Sequence, residues 1–98
     1  MSWHKIEITV SEITNGKGFQ LQNEFTKLFM TLLAPNGIAL FGSLKMLADP
    51  YQYFVSLPEN ISEIHKRLFQ VLFTKYRAVP CDKPMESEIS LVAGSRLN

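Results

Sequence analysis

The chain has 98 residues, of which 46% are hydrophobic and 19% charged, with ten Lys and Arg against nine Asp and Glu. This length leaves room for a single domain, 1–98, whose modest core needs no disulfide or metal to hold it. A net charge of +1 excludes the strong basic field that wholesale binding to nucleic acid or anionic membranes requires. The low share of charged residues favours self-association, because fewer groups resist burial in an interface.

A single cysteine, Cys81, excludes an intrachain disulfide and favours a reducing compartment. The first residues contain no uninterrupted apolar run of the kind a signal peptide has. The longest nearly apolar stretch, 28–40, is interrupted at 35–37 and is too short to span a bilayer. We therefore expect a cytoplasmic protein without a membrane partner.

Alternating hydrophobic and polar residues predict a first strand at 3–10, and the polar segment 11–18 indicates a linker. From residue 19 the hydrophobic side chains recur at intervals of three and four, which predicts an amphipathic helix that ends before Pro35. Its core-facing residues are then Leu21, Phe25, Leu28, Phe29, Leu32 and Leu33.

Two strands, 38–44 and 51–57, form the centre of the pattern and are separated by a break at 48–50. A second helix is predicted to begin at a capping residue, Asn60, three residues before Glu63. Its apolar stripe comprises Ile61, Ile64, Leu68, Val71, Leu72 and Tyr76, and Phe69 and Phe73 widen it.

After a loop at 81–84, alternation resumes at 85–92 and predicts a fourth strand, followed by a flexible tail at 93–98. The element order β-α-β-β-α-β is that of an α+β two-layer sandwich, with two helices on one face of a four-stranded antiparallel sheet. This architecture resembles the ferredoxin-like arrangement, which implies the strand order 4-1-3-2. The resemblance is one of architecture and carries no function with it.

The sheet face without helices is expected to be polar, with two exceptions. Phe41 and Phe54 fall on that face on adjacent strands, beside Ser43 and Gln52. Two large rings on an otherwise solvated sheet indicate a contact patch, and these four residues are the candidate interface. The alternative is a pair of rings that shield each other on the surface of a monomer.

Nucleic-acid binding is a weaker hypothesis. RNA-recognition modules stack bases on sheet aromatics next to a basic residue and a glycine. Tyr51 and Tyr53 have the aromatic spacing, but Asp49 and Pro50 stand at the preceding positions and the predicted register turns both tyrosines toward the helices. A basic cluster on the second helix remains a candidate anion-binding surface, formed by Lys66, Arg67 and Arg77.

No catalytic or metal-binding motif stands out. Cys81 is flanked by Asp82 and Lys83, but no base lies near it in sequence, and a lone cysteine is more often inert than reactive. His4 and His65 lack the short spacing to further ligands that a zinc site has. We expect neither a metal nor another cofactor.

These observations favour a small, non-enzymatic interaction or regulatory domain that forms a homodimer through the open sheet face. A small enzyme or ligand-binding protein, with its pocket on that face or at the Cys81 loop, is the first alternative. A nucleic-acid-associated protein that uses the basic surface between Lys66 and Arg77 is the second.

Overall fold

The computed structural model describes residues 2–32 and 37–94. In chain order its helices and strands are β1 (Ser2–Ile8), α1 (Val10–Thr14), α2 (Lys17–Met30), β2 (Ala39–Ser43), β3 (Tyr51–Leu57), α3 (Glu63–Tyr76), β4 (Val79–Cys81) and β5 (Ile89–Gly94), with a 3-10 turn at Glu86–Glu88. None of the helices within these ranges has the length and apolar character needed to cross a membrane.

The protein is α+β, with an open antiparallel sheet in the order β4-β1-β3-β2-β5. The prediction of four strands is therefore wrong, because the described residues form five. The segment predicted as a strand beside β1 instead forms β5 beside β2, at the far edge. Its predicted place beside β1 is taken by β4, three residues with a proline at the centre. So short a strand shows no alternation from which it could be predicted.

Both long helices pack against one face of the sheet. The strands present the buried side chains of Ile6, Ile8, Leu40, Tyr53 and Val55 to this layer. The helices contribute Leu21, Phe25, Leu28 and Phe29 from α2, and Phe69, Phe73 and Tyr76 from α3. Each such side chain stabilises the fold by roughly 1.5–3 kcal/mol when it is fully buried. The hydrophobic pattern predicted the buried face of α2 and the inward direction of Tyr53.

The predicted linker contains a helix that the polar composition concealed. Thr9 caps α1, since its Oγ1 accepts a hydrogen bond from the Glu12 N–H at 3.2 Å while Glu12 Oε1 accepts one from the Thr9 N–H at 3.1 Å. This reciprocal pair is a capping box, which satisfies two N–H groups that a helix start leaves without partners. Gly16 separates α1 from α2 with a φ of 85°, a value that glycine adopts without strain.

Two predicted boundaries fall on residues outside the described ranges. The expected helix end before Pro35 lies within 33–36, and the last four residues of the expected tail are 95–98. The first two residues of that tail, 93 and 94, belong to β5 instead.

The second helix begins later than predicted and is rotated. Its cap is Ser62 rather than Asn60, and the Ser62 side chain accepts a hydrogen bond from the His65 N–H at 3.3 Å. Ile64 and Val71, expected in the core, are 70% and 65% exposed, and Leu68 is exposed as well. The core instead holds the aromatic side of the helix, because aromatic rings bury more apolar area than Ile, Leu or Val.

The expectation of exposed rings on the other face is also wrong. Phe41 is 2% exposed, and Phe54, its direct cross-strand partner, is buried too. They form a second hydrophobic cluster with Ala39 and Ile89, and Trp3 packs against it with its ring centroid 5.5 Å from that of Phe41.

A segment of chain, 82–88, accounts for this burial. It joins the two edges of the sheet, from Cys81 opposite Trp3 to Ile89 opposite Ser43. With strands about 4.8 Å apart and about 3.3 Å per residue along them, this diagonal is roughly 23 Å long, within the reach of eight residue steps. Since the helices occupy the opposite face, we infer that 82–88 crosses the face that carries Phe41. We call it the crossing segment.

Replacing Phe41 with alanine tests whether that ring is interior. We expect the free energy of unfolding to fall by about 3–5 kcal/mol, because the change leaves a cavity between the sheet and its cover. The matched control is Phe19→Ala on α2, where the ring is largely exposed and the loss is expected to stay below about 1 kcal/mol. Urea unfolding of both variants measures the difference, and equal losses would contradict a covered Phe41.

Candidate functional site

The register of β2 and β3 places the four candidate interface residues on one face of the sheet, opposite the helices. Ser43 is buried, and its carbonyl oxygen accepts a hydrogen bond from the Tyr51 hydroxyl at 2.6 Å. Gln52 is half-buried and donates from Nε2 to Glu7 Oε2 at 3.5 Å. With Phe41 and Phe54 both covered, little of this set reaches solvent, and its role as an interface stays a prediction.

The three candidate anion-binding residues do not converge. Arg77 follows Lys66 by eleven residues, which is about 16 Å along a helix axis. Lys66 and Arg67 are neighbours in sequence, and therefore point about 100° apart around that axis. Lys66 Nζ also lies 3.2 Å from Glu63 Oε1. The three cations are therefore spread along and around α3, and their role in binding an anion stays a prediction.

The Cys81 loop borders an open cleft of about 750 Å³ at the β1–β4 edge of the sheet. Residues from both ends of that edge line it, namely Ser2, Trp3, His4, Pro80, Cys81, Asp82 and Lys83. The cleft is therefore bordered by residues that carry a thiol, an imidazole, a carboxylate and an ammonium group, but not all of these side chains point into it. Their directions decide what the cleft can do.

Cys81 and His4 do not form a catalytic pair. Cys81 pairs with Trp3, so the alternation of strand side chains turns His4 toward the helices, where its ring stacks on Phe73 at 4.3 Å. Burial raises the pKa of the Cys81 thiol, and Asp82 adds to this while Lys5 opposes it. The thiol is thus protonated at neutral pH and lacks the character of an activated nucleophile.

The Nδ1 atom of His4, a half-buried residue, is buried without a hydrogen-bond partner, and it is the only such side-chain atom in the described ranges. Burial lowers the pKa of this imidazole, so it is neutral at pH 7. His65 lies elsewhere, at the start of α3, with Nδ1 2.6 Å from Ser62 Oγ. Among the described residues, no group of three or more His, Cys, Asp or Glu side chains is arranged to hold a metal ion.

A groove between α2 and α3 is a feature that the sequence did not reveal. It has a volume of about 260 Å³ and is lined by Glu24, Lys27, Leu28, Leu68, Val71 and Leu72. Predicting this groove required knowing which side of α3 faces the core, and the hydrophobic pattern predicted that side incorrectly.

Polar contacts of Glu24 join the two walls of this groove. Glu24 on α2 forms an ion pair with Lys75 and accepts a hydrogen bond from the Tyr76 hydroxyl at 2.9 Å. Burial raises the pKa of the Glu24 carboxyl, but the hydrogen bonds from Lys75, Tyr76 and Gln20 outweigh this effect and the net pKa is lowered. Glu24 is therefore ionised at neutral pH and its charge is balanced within the protein.

The two edges of the sheet differ in a way that bears on association. β4 has three residues with Pro80 at its centre, whereas β5 has six, of which none is charged and none is proline. Within the described ranges no strand pairs with the outer side of β5. Natural sheets usually shorten, charge or cover such an edge because its free N–H and C=O groups attract another strand.

Comparison with known proteins gives no match to a family model, to a curated protein or to a solved structure. Function is therefore inferred from three features of the structure, which are the cleft at the β1–β4 edge, the groove between α2 and α3 and the outer edge of β5.

Alkylation of Cys81 tests the state of its thiol. We expect iodoacetamide to react more slowly than with free cysteine at pH 7 and the rate to keep rising through the alkaline range, because burial raises the pKa of the Cys81 thiol above its ordinary value. Asp82→Asn should speed the reaction at pH 8 and Lys5→Gln should slow it. A rate that levels off near neutral pH would show an activated thiolate instead.

The Glu24 contact predicts a pH-dependent stability. Its folded pKa is lowered from 4.5, so the stabilisation is present above that value and is lost as the pH falls below it. We expect Glu24→Gln to cost about 1 kcal/mol at pH 7 and less at pH 3, measured by urea unfolding. Glu63→Gln, in an exposed pair, is the control and should change little at either pH. Equal losses at both pH values would contradict the assignment.

Proposed function

We propose that the chain is a small, non-catalytic interaction domain that forms a homodimer through the outer edge of β5. The observation that carries this proposal is an uncharged, six-residue edge strand without a covering strand in the described ranges. Within it, Leu91 and Val92 are exposed. Pairing with another strand would satisfy backbone groups and cover these two side chains together.

The chemistry of β5 favours a second copy as its partner. Two identical strands pair antiparallel about a two-fold axis, so each copy contributes the same surface. Like charges facing each other across the axis would oppose such pairing, and Ile89–Gly94 contains none. Leu91 also lies beside Phe41, so the edge is continuous with the second hydrophobic cluster. The expected homodimer is thus kept, but its proposed contact moves from the buried rings of Phe41 and Phe54 to the outer edge of β5.

The strand order also supports a ferredoxin-like core within the sheet. Four strands, β4-β1-β3-β2, are antiparallel neighbours, and α2 and α3 each make a crossover on the same face. β5 then extends that core at the β2 side. A cytoplasmic location remains part of the proposal, supported by the single cysteine, which has no disulfide partner.

A small-ligand site in the cleft at the β1–β4 edge is the second candidate. Its specific support is a cleft of about 750 Å³ that combines the Trp3 ring with Lys83 and Asp82. Such a mixture of an apolar wall and a few polar groups is typical of small-molecule sites. A thermal-shift screen with metabolites tests it, and a ligand whose stabilisation is lost in Trp3→Ala but kept in Phe19→Ala would support it.

The homodimer is tested by substituting one leucine and one valine, which lie at opposite ends of one row of cross-strand neighbours. Leu91 on β5 and Val79 on β4 are each 48% exposed, and the row between them runs through Lys5, Phe54 and Phe41. We expect the native protein to sediment as a dimer at micromolar concentrations, Leu91→Lys to sediment as a monomer, and Val79→Lys to remain a dimer.

The outcomes separate the two possible contacts. Dissociation by both substitutions would place the contact on the sheet face rather than on the β5 edge. A native protein that stays monomeric at high micromolar concentration would overturn the homodimer altogether.

A further inference from the structure

An apolar stripe on the outside of α3 is exposed to solvent. Ile64, Leu68 and Val71 follow at intervals of four and three residues, so they share one side of the helix, and all three are exposed. They adjoin the groove between α2 and α3, which Leu68 and Val71 line together with Leu28 and Leu72. We call these three residues the α3 stripe. Together with the groove beside it, the α3 stripe makes one continuous apolar surface.

The charges around the α3 stripe are mostly positive. Lys27 lines the groove on the α2 side, and Arg67 lines a second hollow, of about 360 Å³, on the other side of Val71. Neither side chain forms an ion pair with any residue that the structure describes. The carboxylate of Glu24, the acidic residue in the groove, already forms an ion pair with Lys75. A partner therefore meets apolar side chains flanked by two unmatched cations.

This combination selects the chemistry of the partner. Anchors spaced at i, i+4 and i+7 on one helix, next to a groove, fit the apolar face of another helix. Carboxylates on the flanks of that second helix would pair with Lys27 and Arg67, whereas lysines there would be repelled. A second copy of this chain is disfavoured, because it would bring two basic α3 surfaces together.

We propose that the α3 stripe binds an amphipathic helix of a partner protein whose apolar face is flanked by Glu or Asp. The inference does not depend on the homodimer, since it uses no residue of β5. Nucleic acid is the less favoured occupant, because bases stack on exposed aromatic rings and the three stripe residues are aliphatic.

The probe is a fluorescein-labelled synthetic peptide of about 18 residues with leucines in a helical stripe and glutamates on both flanks. A second peptide carries lysine in place of every glutamate. Fluorescence anisotropy is measured with the native protein, with Val71→Asp and with Val10→Asp. The last variant adds the same charge at an exposed valine on α1, away from the groove.

We expect saturable binding of the acidic peptide that Val71→Asp weakens about tenfold or more and Val10→Asp leaves unchanged. Arg67→Glu should weaken it as well, and the lysine peptide should bind far less. The same measurements on Leu91→Lys should give the native affinity, so failure of the homodimer and failure of this inference are distinguishable.

Three results would overturn the proposal. The first is the absence of saturable binding by the acidic peptide up to roughly 1 mM. The second is equal binding of both peptides, which would show a charge-independent apolar contact. The third is displacement of the acidic peptide by a single-stranded oligonucleotide whose own binding is lost in Arg67→Glu, which would assign the surface to nucleic acid.

Discussion

The packing of aromatic rings between α2 and α3 determines which surfaces this protein offers to others. The Phe25 ring centroid lies 6.3–6.5 Å from those of Phe69, Phe73 and Tyr76, so one ring of α2 contacts the whole inner side of α3. This contact sets the rotation of α3 about its own axis. Because the aromatic side is buried, the aliphatic side faces solvent, and the groove next to it follows from the same rotation.

The opposite face of the sheet depends on a different constraint. β4 and β5 lie at the two edges, and the seven residues between them have to cross the sheet. A second hydrophobic cluster, which includes Phe41, lies on the face that we infer this crossing to cover. The sheet therefore lies between two helices on one face and, as we infer, a single segment of irregular chain on the other.

The strands were predictable where their hydrophobic pattern was unambiguous. The alternation at 51–57 gave the exact bounds of β3 and the inward direction of Tyr53. The buried side of α3 was not predictable, since Ile64 and Val71 are apolar and repeat with the same period as Phe69 and Phe73. The burial of Phe41 was hidden for another reason, because alternation along a strand does not show what packs against the far face of the sheet.

The unequal lengths of the two sheet edges limit the size of any assembly built by strand addition. If β5 of one copy pairs with β5 of another, each uses its long edge, and the remaining edges are the three-residue β4 strands interrupted by Pro80. Proline lacks the N–H group that a further strand would need. Growth of the sheet would therefore stop at two copies, and strand addition at the β5 edge would not lead to open-ended polymerisation.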